Sequence, residues 1–233
     1  MATVTKTTNR IADAEPKPNG KKIEEPKVED LAITPPNFKT IRFLIRGTAP
    51  LVQCKFSVKA RDTIRETQEA GQQARKGKKR EPKDFEKVYN DSRHISTEGW
   101  DGINAIGFRH ALVDIGKLCG FYKITGKMTL FVKPDGFTSD GIPLVKITKG
   151  TPRMHIGEAR ASGRTDLRSR PMWDAGWEAV VTVEYDADTF RAEEVLNLLN
   201  RVGIQNGVGE GRANSKASVG CGWGHFEVVD VKN

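Results

Sequence analysis

Cysteine, histidine and aromatic residues are all scarce in this chain: three Cys and four His in 233 residues, with Phe, Trp and Tyr together making up 7%. Cys54, Cys119 and Cys221 show no CxxC spacing and are odd in number. That pattern excludes a zinc knuckle and a disulfide framework, and reduced thiols in a cytosolic protein are expected. No run of 18 apolar residues occurs, so no membrane-spanning helix is expected. The N-terminus lacks an apolar h-region, so no secretory signal is expected. His94, His110, His155 and His225 form no HExxH motif and no Ser-His-Asp set that the sequence can bring together. The acidic residues are too scattered to predict a two-metal nuclease, and neither a metal nor a cofactor is expected.

What the chain does have is positive charge, a formal +8 with pI near 9.4, which points to a polyanionic partner. Its placement is uneven. Residues 1–38 carry six cationic and six acidic side chains, so the whole excess lies in residues 39–233. The first segment is rich in Lys, Glu, Pro, Thr and Asn, a composition that predicts a disordered or extended N-terminal arm over 1–38. Residues 39–233 are long enough for one substantial domain.

Within that domain, Thr40–Phe56 opens with period-2 alternation and predicts a strand, bent by Gly47 and Pro50. Ser57–Gly71 reads as helical. Gln72–Asp84 is an exposed, mobile basic insertion, with Lys76, Lys78, Lys79 and Arg80 prominent. Ile103–Gly116 carries a helical apolar stripe. Ile124–Val132, Pro143–Ile147, Trp177–Tyr185 and His225–Val231 predict strands, and Phe190–Val202 a second helix. Residues 148–172 form a long polar stretch containing Arg153, Arg160, Arg164, Arg168 and Arg170. With the insertions at about 57–100 and 148–172 set aside, the order is β-α-β-β-α-β. The predicted fold class is therefore α+β, a ferredoxin-like (RRM- or RAMP-type) domain. Two helices would cover one face of an antiparallel sheet and leave the other free to meet nucleic acid.

The C-terminal segment is the most distinctive. Seven glycines lie between Gly203 and Gly224, with Arg212, Asn214, Ser215, Lys216 and Ser218 among them. Glycine lets a backbone approach a ligand, or its own sheet, closely. GxxxxGK[ST] spacing is missing, which excludes a P-loop. Gly207–Arg212 (GVGEGR) follows a helix instead of a strand, which excludes the Rossmann fingerprint.

On Gly207–Arg212 followed by Gly220–Gly224 (GCGWG), the chain resembles the RAMP superfamily of CRISPR RNA-binding proteins, where a glycine-rich loop before the last strand helps grip the RNA backbone. The basic insertion is similar to the thumb of CRISPR backbone subunits. A closer resemblance, over roughly Ile41–Val231, is to an uncharacterised family of tailed-phage proteins. It is carried by Gly47–Val52 (GTAPLV), by Ala159–Arg170 with the DLR-x-RP pattern running to Pro171, and by GVGEGR. For a phage-encoded chain the implied location is the host cytoplasm.

These readings predict a non-catalytic protein that grips single-stranded RNA or DNA along its backbone with low sequence specificity, assembled as a homo-oligomer or filament. Lys76, Lys78, Lys79 and Arg80 would act as a clamp, and Arg153, Arg160, Arg164, Arg168 and Arg170 would hold phosphates. Gly209, Gly211, Arg212 and Lys216 would bring the loop close to the strand. Trp100, Trp173 and Trp223 are stacking candidates, weighed against packed core or hinge positions. RAMP-type endoribonucleases often use a histidine as general base, and here His110 and then His155 are the candidates for that enzyme alternative. A phage structural, assembly or anti-defence protein is the third class.

Overall fold

A computed structural model describes residues 34–56, 58–69, 82–161, 164–215 and 220–232. The clamp residues Lys76, Lys78, Lys79 and Arg80, together with Lys216 and nearly all of the proposed arm, lie outside them. The fold below belongs to the unit Pro36–Asn233.

It is α+β with antiparallel sheets. The main sheet runs through β1 (Phe38–Gly47), β9 (Glu178–Asp186) and β10 (Phe226–Lys232), with β1 central. The far edge of β9 is shared: β4 (Leu130–Lys133) pairs with Thr182–Tyr185, and β6 (Pro143–Lys149) with Glu178 and Ala179. β6 in turn pairs with β3 (Gly102–Asn104) and β5 (Gly136–Phe137). Period-2 alternation sets the core. Phe43, Ile45, Ala179, Val181 and Val183 are buried, and they pack under α3 (Ala105–Leu118) and α5 (Ala192–Arg201). Phe226 joins the layers, with ring centroids 6.0 Å from Phe108 and 6.3 Å from Trp177.

The other face of the sheet offers little net charge at its middle. Arg46 and Lys149 share Glu178 (2.9 and 3.3 Å), and Lys133 pairs with Glu184 at 2.6 Å. Its aromatics sit at the edge, where Phe38 meets Phe131 (centroids 5.7 Å apart) and Arg109 caps the Phe131 ring at 4.6 Å.

Two expectations need correction. Residues 124–132 are not one strand: α4 (Lys123–Thr129) precedes the short β4. The run of β-branched and apolar residues imitates a strand, but the segment packs as a turn of helix against α3, where Gly126 is buried facing Val113. A Cβ at Gly126 would meet Val113 Cγ2 at 3.5 Å. Residues 148–172 are not an irregular polar stretch either. They begin with the end of β6 and then form a hairpin, β7 (Arg153–Ala161) and β8 (Arg164–Trp173), joined by β2 (Leu51–Val52) in a separate three-stranded sheet. Met154 and Ile156 alternate with Arg153 and His155. The arginines obscured that pattern. Two further helices, α1 (Val58–Glu69) and α2 (Phe85–Asp91), lie between β2 and β3 in the chain.

His94, between α2 and β3, is buried, and its imidazole is pushed down to about 4. Burial is the main cause and Lys55 adds to it, while Asp140 opposes. The unfolded chain holds that proton up to about pH 6.5. The stability supplied by neutral His94 is therefore complete above pH 6.5 and is lost as pH falls from 6.5 towards 4. Asp140 is held far below the usual carboxylate range by Lys55 and Arg61, so it stays ionised throughout that window. Urea unfolding should show a loss of about 3 kcal/mol between pH 6.5 and 4, flattened in His94→Gln. An equally steep loss in the variant would contradict the assignment.

Candidate nucleic-acid interface

The three sequence segments singled out above, GTAPLV, DLR-x-RP and the glycine loop, meet at one place. A π-helical turn, Val202–Asn206, prolongs α5. The chain then folds back on the bend after β1: Gly224 N donates to Pro50 O (2.7 Å), Glu210 N to Val52 O (2.8 Å) and Val208 N to Gly224 O (3.0 Å). Val52 pairs with Met172 of β8. Glycine is required here by close approach. A Cβ on Gly209 would stand 2.5 Å from Val52 O, and one on Gly211 2.6 Å from the Trp223 ring. Gly209 and Gly211 thus serve the packing of the loop on its own sheet.

Arg170 ties the hairpin to this loop. Its side chain is 5% exposed, it pairs with Glu210 at 2.9 Å, and it lies 5.6 Å from the Trp223 ring centroid. His155, opposite Arg170 in the ladder, meets Trp223 edge-on at 5.6 Å. Its pKa is lowered by burial first and then by Arg170 and Arg153. The Cys54 thiol, although its residue is exposed overall, is pushed up by burial and by Glu210. Arg153 pairs with Asp174 at 3.0 Å. Arg168, two positions before Arg170 on β8 and opposite Gly157, is half-buried. Arg160 and Arg164 take backbone positions opposite Thr165 and Ala161 near the hairpin tip. The five candidate phosphate arginines are thus dispersed: Arg170 is buried in a structural bridge, Arg153 is ion-paired, Arg168 is half-buried, and Arg160 and Arg164 lie far along the ribbon. Among the tryptophans, Trp173 is buried, Trp100 is half-buried with Lys146 5.5 Å from its ring, and Trp223 belongs to the bridge.

A better-formed cationic surface lies on the other side of the glycine loop. His110, exposed on α3, borders two adjoining clefts. One, about 400 Å³, is lined by His110, Asp114, Asn206, Arg212, Asn214 and Ser215. The other, about 470 Å³, is lined by Arg109, His110, Val113, Asp114, Lys123 and Lys127. With His110 and Asp114 common to both, they form one groove along α3 between α4 and the loop. Asp114, the one acidic side chain among the described lining residues, accepts from Asn214 Nδ2 at 2.7 Å. Arg212 is oriented by Gly209 O (2.8 Å) and Asn214 Oδ1 (3.1 Å), and Arg109 by Leu130 O (3.1 Å) and Lys127 O (2.5 Å). Asn206 is 3% exposed and its Nδ2 has no protein partner, so a buried donor lines the cleft. Lys123, Lys127 and Asn206 were not singled out from sequence, and Arg109 only as the neighbour of His110. Reading 124–132 as a strand separated Lys123 and Lys127 from α3, and only the helical turn of α4 aligns them with Arg109. Among the described residues, no group of three or more His, Cys, Asp and Glu side chains is arranged to hold a metal ion.

No protein-family model matches the chain, and no curated protein matches it.

Proposed function

We propose that this chain is a non-catalytic nucleic-acid-binding protein that grips the backbone of single-stranded RNA or DNA with low sequence specificity, as repeated subunits along the strand. The observation that carries the reading is the groove along α3, where Arg109, Lys123, Lys127 and Arg212 face a single carboxylate, Asp114. Cations at that density bind phosphates by releasing counterions, without reading bases. Arg109 and Arg212 are held by backbone carbonyls, so less side-chain entropy is lost when a phosphate binds. The near-neutral middle of the open sheet face favours the helical side over the surface that RNA-recognition folds use. The order β10-β1-β9-β4, with α3 between β1 and β4 in the chain and α5 between β9 and β10, supports a ferredoxin-like core of the RAMP kind. A fluorescence-anisotropy titration with a labelled mixed-sequence oligonucleotide at low salt is expected to saturate. Absence of binding to both RNA and DNA would refute the proposal and favour a structural, assembly or anti-defence role in a phage.

One observation favours a second reading, a metal-independent endoribonuclease: His110 and Arg212 line the same cleft, as a general base and a transition-state cation would. His155 is less suited, because its ring is turned edge-on to Trp223 within the bridge. Labelled RNA incubated with excess protein in EDTA should remain intact on the binding reading. Cleavage abolished by His110→Ala would establish the enzyme instead.

A further inference from the structure

The groove does not end at Lys123 and Lys127. The same short helix carries a second row, one step round its axis, formed by Ile124 (68% exposed) and Met128 (67%). Tyr122, 82% exposed, stands immediately before its first turn. Leu118, at the end of α3, adds a fourth exposed apolar side chain. Burying such side chains is favourable, and a cluster of them on a domain surface marks a contact site. This cluster is interleaved with Lys117, Lys123 and Lys127, and no acidic residue occurs between Lys117 and Lys133. That disfavours a cationic partner on charge grounds and fits a ligand that offers anions and flat apolar surfaces together.

Neighbouring rows of a helix lie roughly 5–6 Å apart. A strand whose phosphates meet Lys123 and Lys127 would pass Ile124 and Met128 on the adjoining row and Tyr122, next to Lys123, at the start of the helix. Every base has a π-face, so an exposed tyrosine at the rim of a cationic groove is a stacking platform indifferent to sequence. In a duplex those faces are already stacked on one another and cannot reach it.

We infer that Tyr122, beside the groove cation Lys123, is a base-stacking site that makes this groove selective for unpaired nucleotides over duplex. The inference rests on the nucleic-acid reading and adds the residue that contacts bases and the reason for strand selectivity. Tyr122 is exposed, so its replacement leaves the core untouched.

The test compares wild type, Tyr122→Ala and Tyr122→Phe against a labelled single-stranded oligonucleotide and the matching blunt duplex at one salt concentration. Tyr122→Ala should lose about 5- to 150-fold in single-strand affinity. Its duplex affinity and the salt dependence of binding should be unchanged, and Tyr122→Phe should bind as wild type does. Unaltered single-strand binding by Tyr122→Ala, or an equal loss on both ligands, would overturn the stacking site while leaving phosphate binding intact. Failure of the wild type to bind either ligand would refute the underlying reading, and the stacking site with it.

Discussion

Replacing Gly224 with alanine is expected to destabilise the domain by about 4 kcal/mol. The backbone at Gly224 has φ of +73°, and a Cβ there would fall 1.7 Å from Val208 O. The left-handed conformation alone costs a residue with a Cβ about 1–2 kcal/mol. Forcing atoms into a filled site adds about 1–3 kcal/mol. No flexible side chain can yield, because the obstructing atom is a backbone carbonyl on the opposite arm of the same loop. Two hydrogen bonds depend on that approach, Val208 N to Gly224 O (3.0 Å) and Gly224 N to Pro50 O (2.7 Å). Guanidinium unfolding should show the midpoint moved sharply down. Gly222→Ala is the natural control: its φ is +71°, but nothing lies within 4 Å of the added Cβ, so only the conformational cost applies. Equal losses in the two variants would contradict a close-packed role for Gly224.

Arg170→Ala is the second large effect, with an expected loss of about 3–5 kcal/mol. The guanidinium is buried under Trp223 and paired with Glu210, so truncation strands a carboxylate whose Oε2 already has no protein partner. The sign of the effect depends on what remains. Arg170→Met combined with Glu210→Leu removes both charges while keeping volume, and should recover most of the loss, since well-packed apolar pairs replace buried ion pairs at little cost. A single Arg170→Ala loss below about 1 kcal/mol would mean that the pair behaves as a solvated surface contact. The same experiment separates structure from binding: Arg170 acts as a bridge between hairpin and loop, so any affinity lost on its truncation should follow the fraction unfolded.

Alternation at Ile41, Phe43 and Ile45 and over Trp177–Tyr185 marked the two central strands because one face of each is buried. The stripe through Phe108, Ala111, Leu112 and Ile115 marked α3 for the same reason. The glycine loop was visible as a special backbone, but not as one packed on Pro50 and Val52, because that depends on a contact spanning more than 150 positions. Arg170 shows the same limit from the other side. In sequence it is one arginine among several in a basic stretch, and only the register opposite His155 and the reach to Glu210 make it a buried bridge. Lys123 and Lys127 were hidden by local chemistry: Ile124, Thr125 and Thr129 favour strand, while the segment packs as a helical turn against α3.

The salt dependence of single-strand binding tests the groove most directly. Each phosphate contact on a single strand contributes about −0.7 to the slope of log K against log salt. With Arg109, Lys123, Lys127 and Arg212 engaged, the wild-type slope should be about −2.8 or steeper. Lys123→Gln with Lys127→Gln should make it shallower by about 1.4, without change in unfolding midpoint. A slope indifferent to those two lysines would contradict the account.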